Sequence, residues 1–165
     1  MKKNITIIIL STLLISISSC TGYKPIFGSS NLQFEISDYS IEGDKKLGNK
    51  IYSKLYVLDK ENKNNPSARS VVISIKTNKD KIATAKNSAG KILEYKISLN
   101  TNIIIKDYLT NDKILNHNFK YSSSYKVQDQ HSETVKIEEK TLRDLLDRIF
   151  EDLLIKMSEN IMLKW

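Results

Sequence analysis

The only cysteine of the chain, Cys20, is the residue whose position most clearly predicts a chemical modification. It ends the sequence Ile17-Ser18-Ser19-Cys20, in which one apolar and two small residues precede the thiol. Bacterial lipoprotein signal peptidase cuts between two such small residues and the cysteine, once the thiol carries a diacylglycerol. The spacing therefore predicts acylation of Cys20 and cleavage directly before it, which leaves no thiol for a disulfide.

Residues 1–19 have the composition of an export signal. Lys2 and Lys3 give a positive start, and a largely apolar run from Ile5 to Ile17 follows. This run is shorter than the roughly 20 residues that a membrane-spanning helix needs. An ordinary secreted protein with a chance cysteine near its cleavage site is the alternative interpretation. We expect a signal peptide over 1–19, an acylated tether over 20–30 and a single domain over 31–165.

Acyl chains on Cys20 would decide how the protein meets a membrane. Each buried methylene contributes roughly 0.8 kcal/mol, and two or more chains hold a protein on a bilayer for long times. Thioether-linked diacylglycerol and an N-terminal acyl chain would together supply three chains. We expect this covalent lipid and no other cofactor, and a domain that is anchored to one leaflet without spanning it.

The other reactive residue types form no catalytic pattern. His117 and His131 lack a neighbouring cysteine or histidine at metal-ligand spacing. His117 falls on the apolar side of a predicted strand and is interpreted as a core residue, and His131 as a loop residue before a helix. Glu133, Glu138 and Glu139 fit the surface of that helix. No serine has the flanking glycines of a nucleophile elbow, so we expect no catalytic residue, no metal site and no enzyme activity.

Positive charge is the remaining chemical signal. The formal net charge of the 165-residue chain is +7 and falls to +5 when Lys2 and Lys3 leave with the signal peptide. The segment from 79 to 91 holds four lysines against one aspartate. Export argues against a nucleic acid as the partner, and an anionic lipid head group or phosphorylated glycolipid fits better. The residues predicted to contact such a glycolipid are Lys79, Lys81, Lys86 and Lys91. A compositional bias toward lysine, with the charge only solvating the surface, is the alternative.

Hydrophobic periodicity predicts the elements that position these residues. Alternating apolar residues predict four strands, and two stripes at helical spacing predict two helices. Strands are expected from Leu32 and over 70–77, 93–105 and 114–127, with helices from Gly43-Asp44 to Lys60 and from Ser132 or Thr134 onward. Residues 61–67 and 79–91 are expected to be loops, the second of them basic, and 110–112 a turn.

The element order β-α-β-β-β-α predicts an α+β fold, with two helices packed on one face of a four-stranded mixed or antiparallel sheet. On the third strand the apolar residues alternate with polar ones. The other face of the sheet should therefore be polar and open. Its members on that strand are Glu94, Lys96, Ser98, Asn100 and Asn102.

The segment from Cys20 to Gly28 resembles the start of the lipopolysaccharide-assembly lipoprotein LptE, in the form found in alphaproteobacteria. The matching residues are Cys20, Gly22, Tyr23, Pro25, Ile26, Phe27 and Gly28. Thr21 departs from the pattern, since those relatives usually have the glycine next to the cysteine. A weaker likeness covers Ser88-Ala89-Gly90-Lys91 and, after the long strand, Lys106-Asp107-Tyr108.

The resemblance implies a role without catalysis. Proteins of the LptE family plug the outer-membrane β-barrel LptD, assist its assembly and bind lipopolysaccharide for delivery to the outer leaflet. It thus implies LptD and lipopolysaccharide as partners, and a lipid-anchored location on the periplasmic side of the outer membrane. A generic envelope ligand-binding or assembly lipoprotein without an obligate barrel partner, and a lipid-anchored enzyme, remain as alternatives. The four lysines are assigned from their charge and not from the resemblance.

Replacing Cys20 by alanine tests the anchor. We expect the Cys20→Ala protein to incorporate no labelled fatty acid and to remain unprocessed or unattached, because the thiol is the acceptor of the diacylglycerol. The wild-type chain, labelled in parallel, is the control. Incorporation of the label into the Cys20→Ala protein would contradict the prediction.

Overall fold

A computed structural model describes residues 32–62 and 68–162. The predicted signal peptide, Cys20 and the tether lie outside these residues. The elements are β1 (Phe34–Gly43), α1 (Lys45–Asn62), β2 (Arg69–Lys86), β3 (Ile92–Asp107), β4 (Lys113–Lys126) and α2 (His131–Met162). This order confirms the α+β prediction. Within the described residues, no helix combines the length and the apolar character that crossing a bilayer requires.

The four strands form one mixed sheet in the order β1-β2-β3-β4. β1 and β2 are parallel, and α1 is the crossover that joins them. The pairs β2–β3 and β3–β4 are antiparallel. Ile73 faces Ile105 across one pair and Ile103 faces His117 across the other, so residues of equal parity share a face over the width of the sheet.

The core lies between one face of this sheet and the two helices. Strand residues at every second position are buried against it, as the alternation predicted, and both helical stripes meet them. The fully buried large side chains are Phe34, Ile51, Leu55, Ile73, Ile75, Ile97, Leu99, Ile103, Ile105, Leu145, Ile149 and Leu153. Their burial supplies the main favourable free energy of this fold.

A bulge lets β1 run further than the sequence predicts. The register passes from Ile36 opposite Val71 to Asp38 opposite Val72, which leaves Ser37 as an extra residue. Because of this residue, the alternation of apolar positions changes phase, and Tyr39 then takes the side that Ile36 held. The predicted alternation therefore stops at Ser37, although the strand continues to Gly43.

The expected basic loop over 79–91 is wrong for most of its length. β2 continues to Lys86, with Lys79 paired to Leu99 and Lys81 to Ile97. This half of the strand lacks buried apolar side chains, so its sequence does not show the alternation of a strand. Its backbone is held by hydrogen bonds to β3, which sequence periodicity does not report. Only the residues between Lys86 and Ile92 form the turn.

Capping and turn chemistry explain where α1 and β4 begin. The Asp44 carboxylate accepts a hydrogen bond from the Leu47 backbone N–H at 3.1 Å, as the N-cap of α1. Before it, Gly43 has a φ of 74°, and Asn111 in the predicted turn before β4 has a φ of 59°. Gly43 reverses the chain so that the Asp44 N–H reaches the Thr77 carbonyl oxygen at 2.7 Å.

Substitution of Gly43 by alanine should destabilise the fold strongly. A Cβ there would lie 2.2 Å from the Thr77 carbonyl oxygen, and the φ of 74° adds strain for any L side chain. Gly90→Ala is a matched control, because Gly90 also has a positive φ but no atom within 4 Å of the added Cβ. We expect a loss of roughly 3 kcal/mol or more for Gly43→Ala and about 1–2 kcal/mol for Gly90→Ala, measured by urea unfolding. Equal losses would show that the contact with Thr77 relaxes.

Candidate functional site: an open polar sheet face and a basic sheet end

The face of the sheet opposite the helices is polar, as the sequence predicts. Side chains of β2, β3 and β4 alternate onto it in register. Asn78, Asn100 and Lys120 form one row across the three strands, and Asp80 and Ser98 begin the next. The face also includes Ser74, Lys76, Asn102, Asn116, Asn118, Ser122 and Ser124, and Val72, Ile82 and Ile104 are its apolar members. Most of these side chains are short, neutral and exposed, so they offer donors and acceptors on a flat surface.

Contacts within this open polar face are few and local. The Ser40 and Ser74 hydroxyls are 2.9 Å apart, and Lys76 forms a 3.2 Å ion pair with Glu42. The Asn102 side-chain amide donates to Asn116 Oδ1 at 3.3 Å. Such exposed contacts contribute little stability. A partner surface could exchange them at small cost, which suits a face that binds another polar surface.

Of the four predicted glycolipid-contacting lysines, Lys81 and Lys91 line one cleft of about 330 Å³, whereas Lys79 lines another and Lys86 lines neither of the two. Lys79 and Lys81 extend from β2 on the helix side, whereas Lys86 and Lys91 stand at the two ends of the β2–β3 turn. Lys81 is engaged within the protein: its Nζ lies 2.6 Å from Glu138 Oε2 and 4.3 Å from the centre of the Tyr95 ring. Lys79, Lys86 and Lys91 are exposed.

Lys81, Glu138 and Tyr125 form a hydrogen-bonded cluster between the sheet end and α2. The Tyr125 hydroxyl donates to Glu138 Oε2 at 2.8 Å, the same oxygen that Lys81 approaches. Burial raises the pKa of the Glu138 carboxyl, but the hydrogen bonds from Lys81 and Tyr125 outweigh it and leave that pKa below its ordinary value. Burial lowers the pKa of Lys81, yet the bonded partners hold it above its ordinary value. The cluster is thus an ion pair at neutral pH.

A second cationic group was not predicted from the sequence. Lys46, Lys50, Lys79 and Arg143 line a cleft of about 170 Å³ between α1, β2 and α2. Asp44 and Glu139 line the same cleft, and Glu139 is 4.0 Å from Arg143. The cations come from three separate elements, so only the tertiary fold brings them together. The i, i+4 spacing of Lys46 and Lys50 was the one local signal available.

The structure corrects three assignments of titratable residues. His117 is exposed on β4 and makes an edge contact with the Phe119 ring, at 4.6 Å between centres, so it is not a core residue. It lies on an outer strand of the sheet, where an inward-phased side chain can reach solvent. His131 is the first residue of α2 rather than a loop residue, and Glu138 is half-buried in its cluster rather than on the helix surface.

Glu133 and Glu139 are exposed on α2, as predicted. Among the described residues, no three His, Cys, Asp or Glu side chains converge in a way that could hold a metal ion. The candidate binding features of the described surface are the open polar face and the cationic side chains, which lie in more than one place.

Solved structures share this fold. A candidate lipoprotein from Caulobacter crescentus CB15 matches with a TM-score of 0.58 at 12% identity, over 83% of this chain and 96% of that one. A minor lipoprotein from Acinetobacter baumannii gives 0.53 at 16% identity, over 74% and 91% of the two chains. Rare lipoprotein B from Shewanella oneidensis gives 0.50 at 10% identity, over 76% and 96%. At such identities the likeness establishes the common fold.

No protein-family model matches the sequence, and no curated protein matches it.

Replacing Lys81 by methionine should destabilise the protein by roughly 1–2 kcal/mol, because the half-buried Glu138 carboxylate loses its cationic partner. Lys86→Met is the control, since Lys86 is exposed on the same strand and should change stability by less than about 0.5 kcal/mol. Urea unfolding of both variants measures the difference.

The lowered pKa of Glu138 predicts how the destabilisation by Lys81→Met changes with pH. The pKa of Glu138 is lowered in the folded protein, so its contribution is complete above the ordinary value of 4.5 and is lost as the pH falls below that value. The difference in unfolding free energy between the wild type and Lys81→Met should therefore become smaller at acid pH. A loss equal to that of Lys86→Met at neutral pH would contradict the assignment.

Proposed function

We propose that this protein is an outer-membrane lipoprotein of the LptE type, which plugs the barrel of an LptD-like partner, assists its assembly and binds lipopolysaccharide. The observation that carries the proposal is the one-sided sheet, whose polar face is left open on a fold shared with rare lipoprotein B and a minor lipoprotein. The lipoprotein signal at Ile17-Ser18-Ser19-Cys20 agrees with those names.

The open polar face is the part of the protein that meets the barrel wall. A wide β-barrel has a polar lumen, because its strands alternate apolar residues toward lipid with polar residues inward. The short amide and hydroxyl side chains of β2, β3 and β4 offer such a wall hydrogen-bond donors and acceptors. A four-stranded sheet backed by two helices is bulky enough to occupy the lumen of a large barrel. Permanent interfaces of this kind commonly bury more than about 2,000 Å².

The cations at the sheet end are the proposed contacts for phosphorylated lipopolysaccharide. Lys79, Lys86 and Lys91 keep exposed ammonium groups, and Lys79 opens into the cleft that Lys46, Lys50 and Arg143 line. Lys81 contributes to this end mainly by holding it to α2 through Glu138. The role requires binding and assembly but no catalytic step. Export from the cytoplasm argues against nucleic acid as a partner of this site.

Purification from native membranes tests the barrel partner. We expect the tagged, acylated protein to bring with it a stoichiometric outer-membrane barrel, which stays bound through detergent washing. Asn100→Trp places a large side chain at the centre of the open polar face and should reduce the recovered barrel at least about fivefold, because overpacking costs about 1–3 kcal/mol.

Asp144→Trp, at an exposed position of α2, is the matched control and should retain the barrel. Both variants must show the wild-type circular dichroism spectrum. Recovery of the wild-type protein alone at native expression would overturn the plug and leave a ligand-binding envelope lipoprotein. Loss of the barrel only in Asp144→Trp would move the interface to the helices.

A further inference from the structure

The turn between β3 and β4 is held by hydrogen bonds to Asp107. Asp107 Oδ1 accepts hydrogen bonds from the backbone N–H groups of Leu109 and Thr110, both at 2.9 Å. Its other oxygen accepts from Arg69 Nε at 2.6 Å. The Thr110 backbone and the Arg69 side chain lower the pKa of Asp107 to about 2, so the carboxylate is charged in any envelope compartment. The Asn111 N–H closes the turn on the Asp107 carbonyl oxygen at 3.0 Å.

This rigid turn holds two apolar side chains out into solvent. Leu109 is 85% exposed and Tyr108 is 55% exposed, which makes Leu109 the most exposed large apolar side chain among the described residues. The β2–β3 turn at the opposite end of the sheet has the same role in the fold but carries Asn87, Ser88 and Ala89 at its tip. One end of the sheet therefore has an apolar tip and the other a polar one.

The apolar tip lies at the end of the domain where the chain arrives from Cys20. The Tyr108 backbone N–H donates to the Ser70 carbonyl oxygen at 3.0 Å, and Ser70 pairs with Glu35 in the second position of β1. The described chain begins three residues earlier at Leu32, twelve positions after Cys20. A chain of that length spans at most about 40 Å, so an anchored Cys20 limits this end to that distance from its leaflet.

Lysines flank the apolar tip at the same end. Lys106 and Lys113 stand on either side of the turn, Arg69 pairs with Asp107, and the exposed acids there are Asp112 in the turn and Glu35 on β1. Lysines attract anionic head groups, and tyrosine side chains favour the interface, where the ring is apolar and the hydroxyl stays hydrated. A leucine one residue further along can pass below the head groups into the acyl region.

We propose that Tyr108 and Leu109 insert into the leaflet that holds the acyl chains of Cys20, as a second membrane contact that fixes the orientation of the domain. The proposal rests on the lipid anchor of the proposed function, and it adds a site of direct lipid contact on the folded domain. With two contact points at one end of the sheet, the polar turn of residues 87–91 at the opposite end points into the lumen of the proposed barrel.

Tryptophan quenching in vesicles tests the insertion. Leu109→Trp and the matched control Ser88→Trp are made in a Trp165→Phe background, so that each acylated protein carries one indole. Both are reconstituted into vesicles of phosphatidylethanolamine and phosphatidylglycerol with brominated acyl chains. We expect quenching at position 109 at least about twofold greater than at 88, with a blue-shifted emission at 109, because only that indole leaves water.

The possible results distinguish insertion of the turn into the membrane from anchoring through Cys20. Proteins that float with the vesicles but show equal quenching at 109 and 88 would overturn the insertion and leave the anchor standing. Failure of either protein to float would overturn both. Equal quenching, together with loss of the copurified barrel in Leu109→Ser, would assign the turn to the protein partner instead of lipid.

Discussion

The structure depends on the burial of one face of a four-stranded sheet under two helices. β2 shows most clearly where the core ends. Its side chains that point toward the helices are Val71, Ile73, Ile75, Thr77, Lys79 and Lys81. Along the strand these change from apolar residues to a threonine and then to lysines, so the core ends before the strand does. Thr77 bonds to Thr101 at 3.3 Å at the point of change, where a buried hydroxyl needs a partner.

Beyond that point, polar chemistry replaces burial. Lys81, Glu138 and Tyr125 fix the sheet end to α2, and Asp107 with Arg69 fixes the turn at the other end. The sheet is thus tied by an ion pair near each end, with one end polar and basic and the other apolar at its tip.

This asymmetry connects the two proposals. Under both proposals, the apolar turn lies on the side of the lipid anchor and the basic turn lies at the far end, so the domain has a direction relative to the membrane. The open polar face runs between the two ends, along the length of β2, β3 and β4. A barrel wall could therefore contact the sheet over most of its length, while the far end meets anionic ligand.

Much of the architecture could be read from the sequence, because side-chain periodicity reports which face of an element is buried. The long strand from 92 to 107 and the stripes on α1 and α2 were predicted for this reason, and Asp44 at the start of α1 through its capping chemistry. The prediction failed where the backbone holds an element without help from apolar side chains. The second half of β2 and the continuation of β1 past Ser37 are such cases.

The candidate site, too, was predicted only in part from the sequence. Periodicity alone determined the polar face, since Glu94 through Asn102 had to oppose the buried positions of β3. Periodicity did not show that Glu138 captures Lys81, that Lys46, Lys50 and Arg143 share a cleft with Lys79, or that Leu109 stands exposed on a turn fixed by Asp107 and Arg69. Each of these joins residues far apart in the chain, and their distances are set only when the elements pack.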